Sequence, residues 1–277
     1  MKKLKAVFKI IRPLNILITF LSVIVAGIIS QGKNSVPQIL LLCAIAESLT
    51  FSAGNIINDI FDIETDKLNR PERVLPKGEL SKQTALVVYI MFVLLSGFIS
   101  FYVNTAVFKI IIGTNIILFL YSFLLKRTIL LSNVIVAAVV GSAFILGASA
   151  VDNIKAGYIP FLFALLINFG REIVKDMEDI KGDTAQGMKS FPSVFGFKSS
   201  KFVILLSSFL LIIFTFYPYV FNLYGLTYFL FILIIVDSFL IFIIYKLFKD
   251  DSVENLKKIS LYLKLNMVFG LAAIYFG

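Results

Sequence analysis

The sequence predicts an all-α fold, a bundle of nine transmembrane helices, and three observations carry that reading. Hydrophobic residues make up 59% of the 277 and charged residues only 16%, whereas a soluble domain is about 25% charged and about 45–50% apolar. Nine apolar runs each approach the ~20 residues a helix needs to cross a bilayer. Lysine and arginine then fall heavily on one side of those runs, as the positive-inside bias of polytopic proteins requires.

A basic tail (Lys2, Lys3, Lys5, Lys9, Arg12) leads into the first run, about 14–30. This run is full length and lacks a small-residue cleavage pattern, so it reads as a span and not as a removable signal. A polar turn with Gly32, Lys33 and Asn34 precedes the second run, about 37–60, which ends in the stretch NIINDIFDIETDKLNRPERVLPKGELS from Asn55 to Ser81. Further runs cover roughly 83–103, 106–125, 129–150, 156–175, 201–219, 223–248 and 256–276, with Pro218 and Asn222 offering a second way to divide 201–248.

With nine spans, 22 of the 26 basic residues lie on the side of the N-terminus. Only Lys33, Lys109 and Lys155 lie opposite, and Lys264 falls inside the last span. The expected topology is a multi-pass cell-membrane protein with its N-terminus in the cytoplasm and its C-terminus outside. The net charge of +9 is accounted for by topology and an anionic substrate, without nucleic acid. No long linker interrupts the spans, so 1–277 is expected to form one domain, with related halves about 1–125 and 129–248 followed by a ninth helix. The absence of histidine excludes imidazole acid–base, metal and haem chemistry, and the single Cys43, inside an apolar run, excludes internal disulfides.

The acids are gathered in two places. Asp59, Asp62 and Asp66 stand at i, i+3 and i+7, which on one helix puts three carboxylates on a shared face, with Asn55 one turn earlier. The same offsets return 117 residues later in Glu172, Asp176, Asp179 and Asp183. Eleven of the seventeen acids fall in 59–79 and 172–183. One such cluster alone is well explained as a solvated helix end. Two, each closing an apolar run, point to a metal–polyphosphate site, because like charges on one face repel unless a cation lies between them. Mg²⁺ is the expected ion, since it takes hard oxygen ligands and bridges carboxylates to phosphate. Bases stand nearby: Arg70, Arg73 and Lys77 after the first cluster, Lys175, Lys181 and Lys189 about the second. The positive-inside bias alone would place bases there, but Pro71 and Pro76 stiffen the loop that carries Arg70 and Arg73. Tyr121 and Lys126–Arg127 close the fourth run, where tyrosine also serves as an interfacial anchor. Asn15 follows Arg12 and Pro13 at the entry to the first span. Glu47, Asn115, Asn168 and Asp237 are polar groups at membrane depth, where burial demands a partner.

Asn58-Asp59-x-x-Asp62-x-x-x-Asp66 followed by NRPERVLPKGELS resembles the first signature of the UbiA-type intramembrane prenyltransferases, and Asp179-x-x-x-Asp183 followed by GMKS resembles the second. RPLN at 12–15 and YSFLLKR at 121–127 also match, so the resemblance spans the chain. One departure is that the family's Tyr-x-x-x-Lys is lengthened here by one residue, between Tyr121 and Lys126. The resemblance implies nine helices around a central cavity open to the cytoplasm, and Mg²⁺-dependent transfer of a polyprenyl group from its diphosphate to a lipophilic acceptor. It implies catalytic roles for Asp59, Asp62, Asp179, Asp183, Lys126 and Tyr121, with Mg²⁺ held by Asp59, Asp62, Asp66, Asp179 and Asp183. Substrate contacts are implied for Arg12, Asn15, Asn55, Arg70, Arg73, Lys77, Glu172, Lys175, Asp176 and Lys181.

The form REIVKDMEDIKGD with GMKSFP is similar to the branch of the family that builds archaeal ether lipids by joining a geranylgeranyl group to geranylgeranylglyceryl phosphate. An aromatic acceptor of a quinone or haem pathway is the alternative within the family. A cation transporter would place acids at mid-membrane depth on several spans. A CDP-alcohol phosphotransferase also uses membrane Asp clusters, though not two so widely separated. Oligomeric state is not legible in the sequence.

Overall fold

The computed structural model describes residues 2–32, 36–185 and 187–277, without the side chains of Lys2 and Arg127. Among the described residues its regular structure is all helical, without strands, and nine helices are long and apolar enough to span a bilayer. Lys33 and Asn34, assigned above to the first interhelical turn, lie outside the described residues.

The chain divides into two compact units, Met1–Arg127 with Ala143–Gly157, and Thr128–Ser142 with Tyr158–Gly277. In the first, a short helix α1 (Lys2–Ile10) precedes α2 (Pro13–Gln31), α3 (Gln38–Phe61), α4 (Ile63–Asn69), α5 (Lys82–Phe101) and α6 (Thr105–Phe123). Helix α7 (Leu131–Ser149) gives its first turns to the second unit and its last to the first. Ser81 and Asn104 cap α5 and α6, their side-chain oxygens accepting from Thr84 N–H at 3.1 Å and Val107 N–H at 2.8 Å, and so satisfying donors left open at a helix start.

α3 is the axis of this unit, packed by α2, α5 and α6. Cys43, Ala44 and Ala46 meet Val23, Val107, Ile111 and Leu146 in a fully buried core, where the Cys43 thiol packs and donates to the Leu146 carbonyl at 3.8 Å. A Cβ at Gly147 would run into the Val23 carbonyl, so glycine alone permits this approach of the end of α7 to α2. Polar groups at membrane depth are paired across helices. Asn115 Nδ2 donates to Thr50 Oγ1 (3.3 Å), Ser96 Oγ (3.2 Å) and the Ile111 carbonyl (3.0 Å). Glu47 is an exception, as are Ser48 Oγ and, in the second unit, Asn266: Glu47 is fully buried, and neither carboxyl oxygen has a hydrogen-bond partner among the described residues.

The second unit holds α8 (Tyr158–Ala185), α9 (Phe191–Val220), α10 (Leu226–Phe231), a π-helical stretch Ile232–Asp237, α11 (Ser238–Lys249) and α12 (Val253–Phe276). α8 packs on α9 and α12. Three differences from the sequence reading have physical causes. α8 runs ten residues past the apolar run that ends near 175, because its polar extension continues the helix and its first acid, Asp176, accepts from Asn133 of α7 at 2.8 Å. α9 starts at Phe191 but breaks at Gly196 (φ 78°, ψ 170°), a conformation only glycine adopts readily, so the apolar run after Lys201 forms just its later part. The run about 223–248 contains a π turn ending at Asp237, whose carboxylate accepts from Thr215 Oγ1 at 3.1 Å, while Tyr228 Oη donates to the Thr215 carbonyl at 2.9 Å. Asp237 therefore pairs with a neighbouring helix. Asn168 is also satisfied, donating to the Ala164 carbonyl at 2.8 Å.

Candidate active site

The first acid set lies where α3 gives way to α4. The three acids do not share one uninterrupted helix as their spacing suggested: Asp62 has left helical geometry (φ −94°, ψ 5°) and caps α3. The i→i+4 bonding nevertheless continues across it, Asp62 N–H to the Asn58 carbonyl at 3.0 Å and Asp66 N–H to the Asp62 carbonyl at 2.8 Å. The carboxylates stay close and are almost wholly buried, with Asp59, Asp62 and Asp66 at 3, 6 and 5% exposure.

Three cations hold them. Arg12 donates to Asp59 Oδ1, and Lys126 Nζ donates to Asp62 Oδ2. Arg73 Nη1 bridges Asp66 Oδ2 at 2.6 Å and Asp59 Oδ1 at 3.3 Å. Asn58 Nδ2 adds a 2.8 Å bond to Asp62 Oδ2. Burial holds the Asp66 carboxyl above the ordinary range; Arg73 opposes that rise, and the charges of Asp59 and Asp62 add to it. Three carboxylates held this close together are a place where positive charge is stabilised.

The chain around the set is shaped to present these bases. Arg12 sits between α1 and α2 in the left-handed region (φ 59°, ψ 70°), rare for a side chain of that size. Asn55 fixes that turn by donating to the Ile11 carbonyl at 3.0 Å, so it orients Arg12 and does not itself reach an acid. Asn15 is half-buried in the first turn of α2, its N–H on the Arg12 carbonyl at 2.9 Å. The loop after α4 folds back through Val74, Leu75 and Leu80, which pack with Ile56, Ile57 and Ile60 of α3. Within it Arg70 is half-buried, its N–H on the Asp66 carbonyl at 2.8 Å. Lys77 faces elsewhere: it is exposed and pairs with Glu79 at 3.0 Å, a contact that holds the Glu79 carboxyl below its usual range. Tyr121 is half-buried in the last turn of α6. The extra residue between it and Lys126 is absorbed where α6 ends and a 3₁₀ turn Leu125–Arg127 begins, and Lys126 still reaches Asp62.

The second acid set lies along α8. Here the helix is continuous, so Glu172, Asp176, Asp179 and Asp183 share one face as their spacing predicts. Glu172 is buried between Lys175 Nζ (2.6 Å) and Arg171 Nη1 (3.2 Å). Asn133 Nδ2 donates to Asp176 Oδ2 at 2.8 Å. Asp179 and Asp183 are half-buried and Lys181 is exposed. The helix ends at Ala185, and Met188 N–H returns to the Asp183 carbonyl at 2.9 Å through Gly187 (φ 67°). Asn133, Asn58 and Arg171 were not among the expected site residues. Asn133 had one sequence signal, an amide just inside an apolar run.

Among the described residues no three carboxylates converge as a ready-made cation cage, since the protein's own bases stand between them. The donor set still suits a hard divalent ion by its chemistry, because the acids of both sets offer carboxylate oxygens only.

The UbiA prenyltransferase family model matches residues 19–268. The chain belongs to this family. A curated UbiA relative, the digeranylgeranylglyceryl phosphate synthase of Thermococcus sibiricus, is 37% identical over 276 residues, covering 99% of this chain and 98% of the relative. A solved structure of a digeranylgeranylglyceryl phosphate synthase superposes with a TM-score of 0.79 at 32% identity, over 100% of this chain and 99% of that one. A UbiA homologue from Archaeoglobus fulgidus, solved with DMAPP and Mg²⁺, has the same fold, with a TM-score of 0.69 at 20% identity over 97% and 98% of the two chains. This UbiA chain is thus a multi-pass membrane prenyltransferase.

Proposed function

We propose that this chain transfers the geranylgeranyl group of geranylgeranyl diphosphate to the free hydroxyl of geranylgeranylglyceryl phosphate, forming the second ether bond of an archaeal lipid and releasing diphosphate. The observation that carries the reading is the end-to-end similarity to a relative named for that product, on a chain whose buried acids and bases suit a diphosphate. We place the N-terminus and both acid sets on the cytoplasmic side and the C-terminus outside, on the bias of basic residues.

Asp59, Asp62 and Asp66 are the residues to hold one Mg²⁺, and Asp179 and Asp183 a second. Bound there, the metal supplies positive charge against the diphosphate as it departs. Arg12, Arg73 and Lys126 already sit on these acids. In the loaded enzyme they face the diphosphate and neutralise charge that grows as the C1–O bond breaks. Breaking that bond leaves an allylic cation, which the aromatic-rich spans shield from water and stabilise by their ring faces. The acceptor hydroxyl oxygen forms the new bond to C1, and its proton passes to diphosphate or to Asp176. Asn133 aims Asp176, which makes it a positioning residue. Lys175 and Lys181 are the bases available for the acceptor phosphate. Asn133→Ala should lower kcat about tenfold while leaving KM for the donor nearly unchanged, as loss of an orienting amide does; steady-state kinetics with both substrates check this.

The deciding test is a product mass. Purified protein given labelled geranylgeranyl diphosphate and Mg²⁺ should make product with geranylgeranylglyceryl phosphate and none with a 4-hydroxybenzoate-like acid. Product with the aromatic acid alone overturns the proposal.

A further inference from the structure

Helix α1 has two apolar faces, and the fold uses only one. Ala6 and Ile10 are buried against Ile56, Ile57 and Ile60 of α3 and the Val74–Leu80 loop. Leu4 and Phe8, one turn apart on the opposite side, are 76% and 61% exposed. At about 100° per residue, Lys5 stands to one side of Leu4 and Lys3 to the other. Both lysines are exposed, while Lys9 is turned to the loop, donating to the Glu72 carbonyl at 3.1 Å. The helix is too short to cross a bilayer, and it joins the first span through a single turn at Ile11 and Arg12. An apolar pair flanked by lysines, beside a span's end, is the pattern of a helix lying in the headgroup region, its lysine stems running along apolar surface and their ammonium groups reaching out to phosphate.

We propose that α1 docks its Leu4–Phe8 face into the adjoining leaflet and that Lys3 and Lys5 bind anionic lipid headgroups there. Charge complementarity selects the partner: each lysine near an anionic surface adds attraction that a zwitterionic one does not provide. Docking also fixes the turn that carries Arg12 to Asp59, so leaflet charge bears on the first acid set.

Cys43 is the chain's single cysteine and is fully buried, so a thiol-reactive, environment-sensitive probe introduced through Leu4→Cys or, separately, Phe8→Cys marks one position. The full chain is reconstituted in vesicles of phosphatidylcholine alone or mixed with phosphatidylglycerol, with a shallow nitroxide lipid as quencher. Both probes should be quenched by the nitroxide lipid, about twofold more strongly with phosphatidylglycerol present, and Lys3→Glu with Lys5→Glu should remove that gain. Probes open to aqueous iodide, or quenched equally with and without phosphatidylglycerol, overturn the proposal. Probes shielded from both iodide and nitroxide lipid, as beneath a second copy of the chain, overturn it too.

Discussion

Replacing Asp59 or Asp179 by asparagine should lower prenyl transfer about a thousandfold, while Glu64→Gln leaves it unchanged. Asparagine keeps the shape and most hydrogen-bonding capacity of the acid, so the change isolates charge. At Asp59 that charge is buried and shared between Arg12 and Arg73, and in the loaded enzyme it is assigned to a magnesium ion. Its loss would weaken the hold on that ion and would leave the guanidinium groups of Arg12 and Arg73 without their shared carboxylate. Asp179 has the same assignment in the second set, on a helix whose continuity does not depend on it. Glu64 is a control drawn from the same stretch: it is exposed and pairs with Lys67 at 2.8 Å, one turn along α4, a contact of little energetic weight. A rate about a thousandfold lower corresponds to about 4 kcal/mol of transition-state stabilisation. Single-turnover rates with saturating Mg²⁺ and donor measure it, and near-normal turnover in either variant would remove the acid sets from the mechanism.

What the sequence made legible was what depends on local periodicity. Nine spans follow from run length, and the acid face of α8 follows from offsets of four, three and four in an unbroken helix. The face of the first set was less legible, because spacing alone does not reveal that α3 stops at Asp62, where the chain turns into α4. Tertiary partners were the least legible. Nothing local says that Asn133 meets Asp176, 43 positions away, or that Lys77 turns from the acids to Glu79. Lys126 reached its acid although the spacing from Tyr121 departs from the family form, because the chain leaves helical geometry between them. The tail did not read as a helix, since its lysines obscured two apolar pairs, Leu4–Phe8 and Ala6–Ile10, each four residues apart. Arg12 was legible as a base but not as a strained one, and its left-handed backbone is held by Asn55 from 44 positions away.

Arg73→Ala should destabilise the metal-free protein by about 3 kcal/mol, with Mg²⁺ restoring most of the loss. Arg73 spans two buried acids at once, its own side chain only 17% exposed against 4 and 7% for Asp59 and Asp66. Removing one partner of such a network leaves carboxylates desolvated without compensation, which costs far more than losing a surface pair. The low end of the expected range applies because Arg12 remains on Asp59 and Lys126 on Asp62. Asp66 then loses the guanidinium of Arg73 that opposes the rise imposed by burial and by its two acidic neighbours, and it folds with a proton or a metal in place of Arg73. A divalent ion binding among the acids of the wild-type protein must displace part of the Arg73 contact; in the variant it meets no such competitor. Thermal unfolding in detergent should therefore show a lower metal-free midpoint for Arg73→Ala and a larger Mg²⁺-induced rise than in the wild type. Equal Mg²⁺ shifts in the two proteins would mean that Arg73 and the ion do not contend for the same carboxylates, and that Arg73 serves the loop's packing alone.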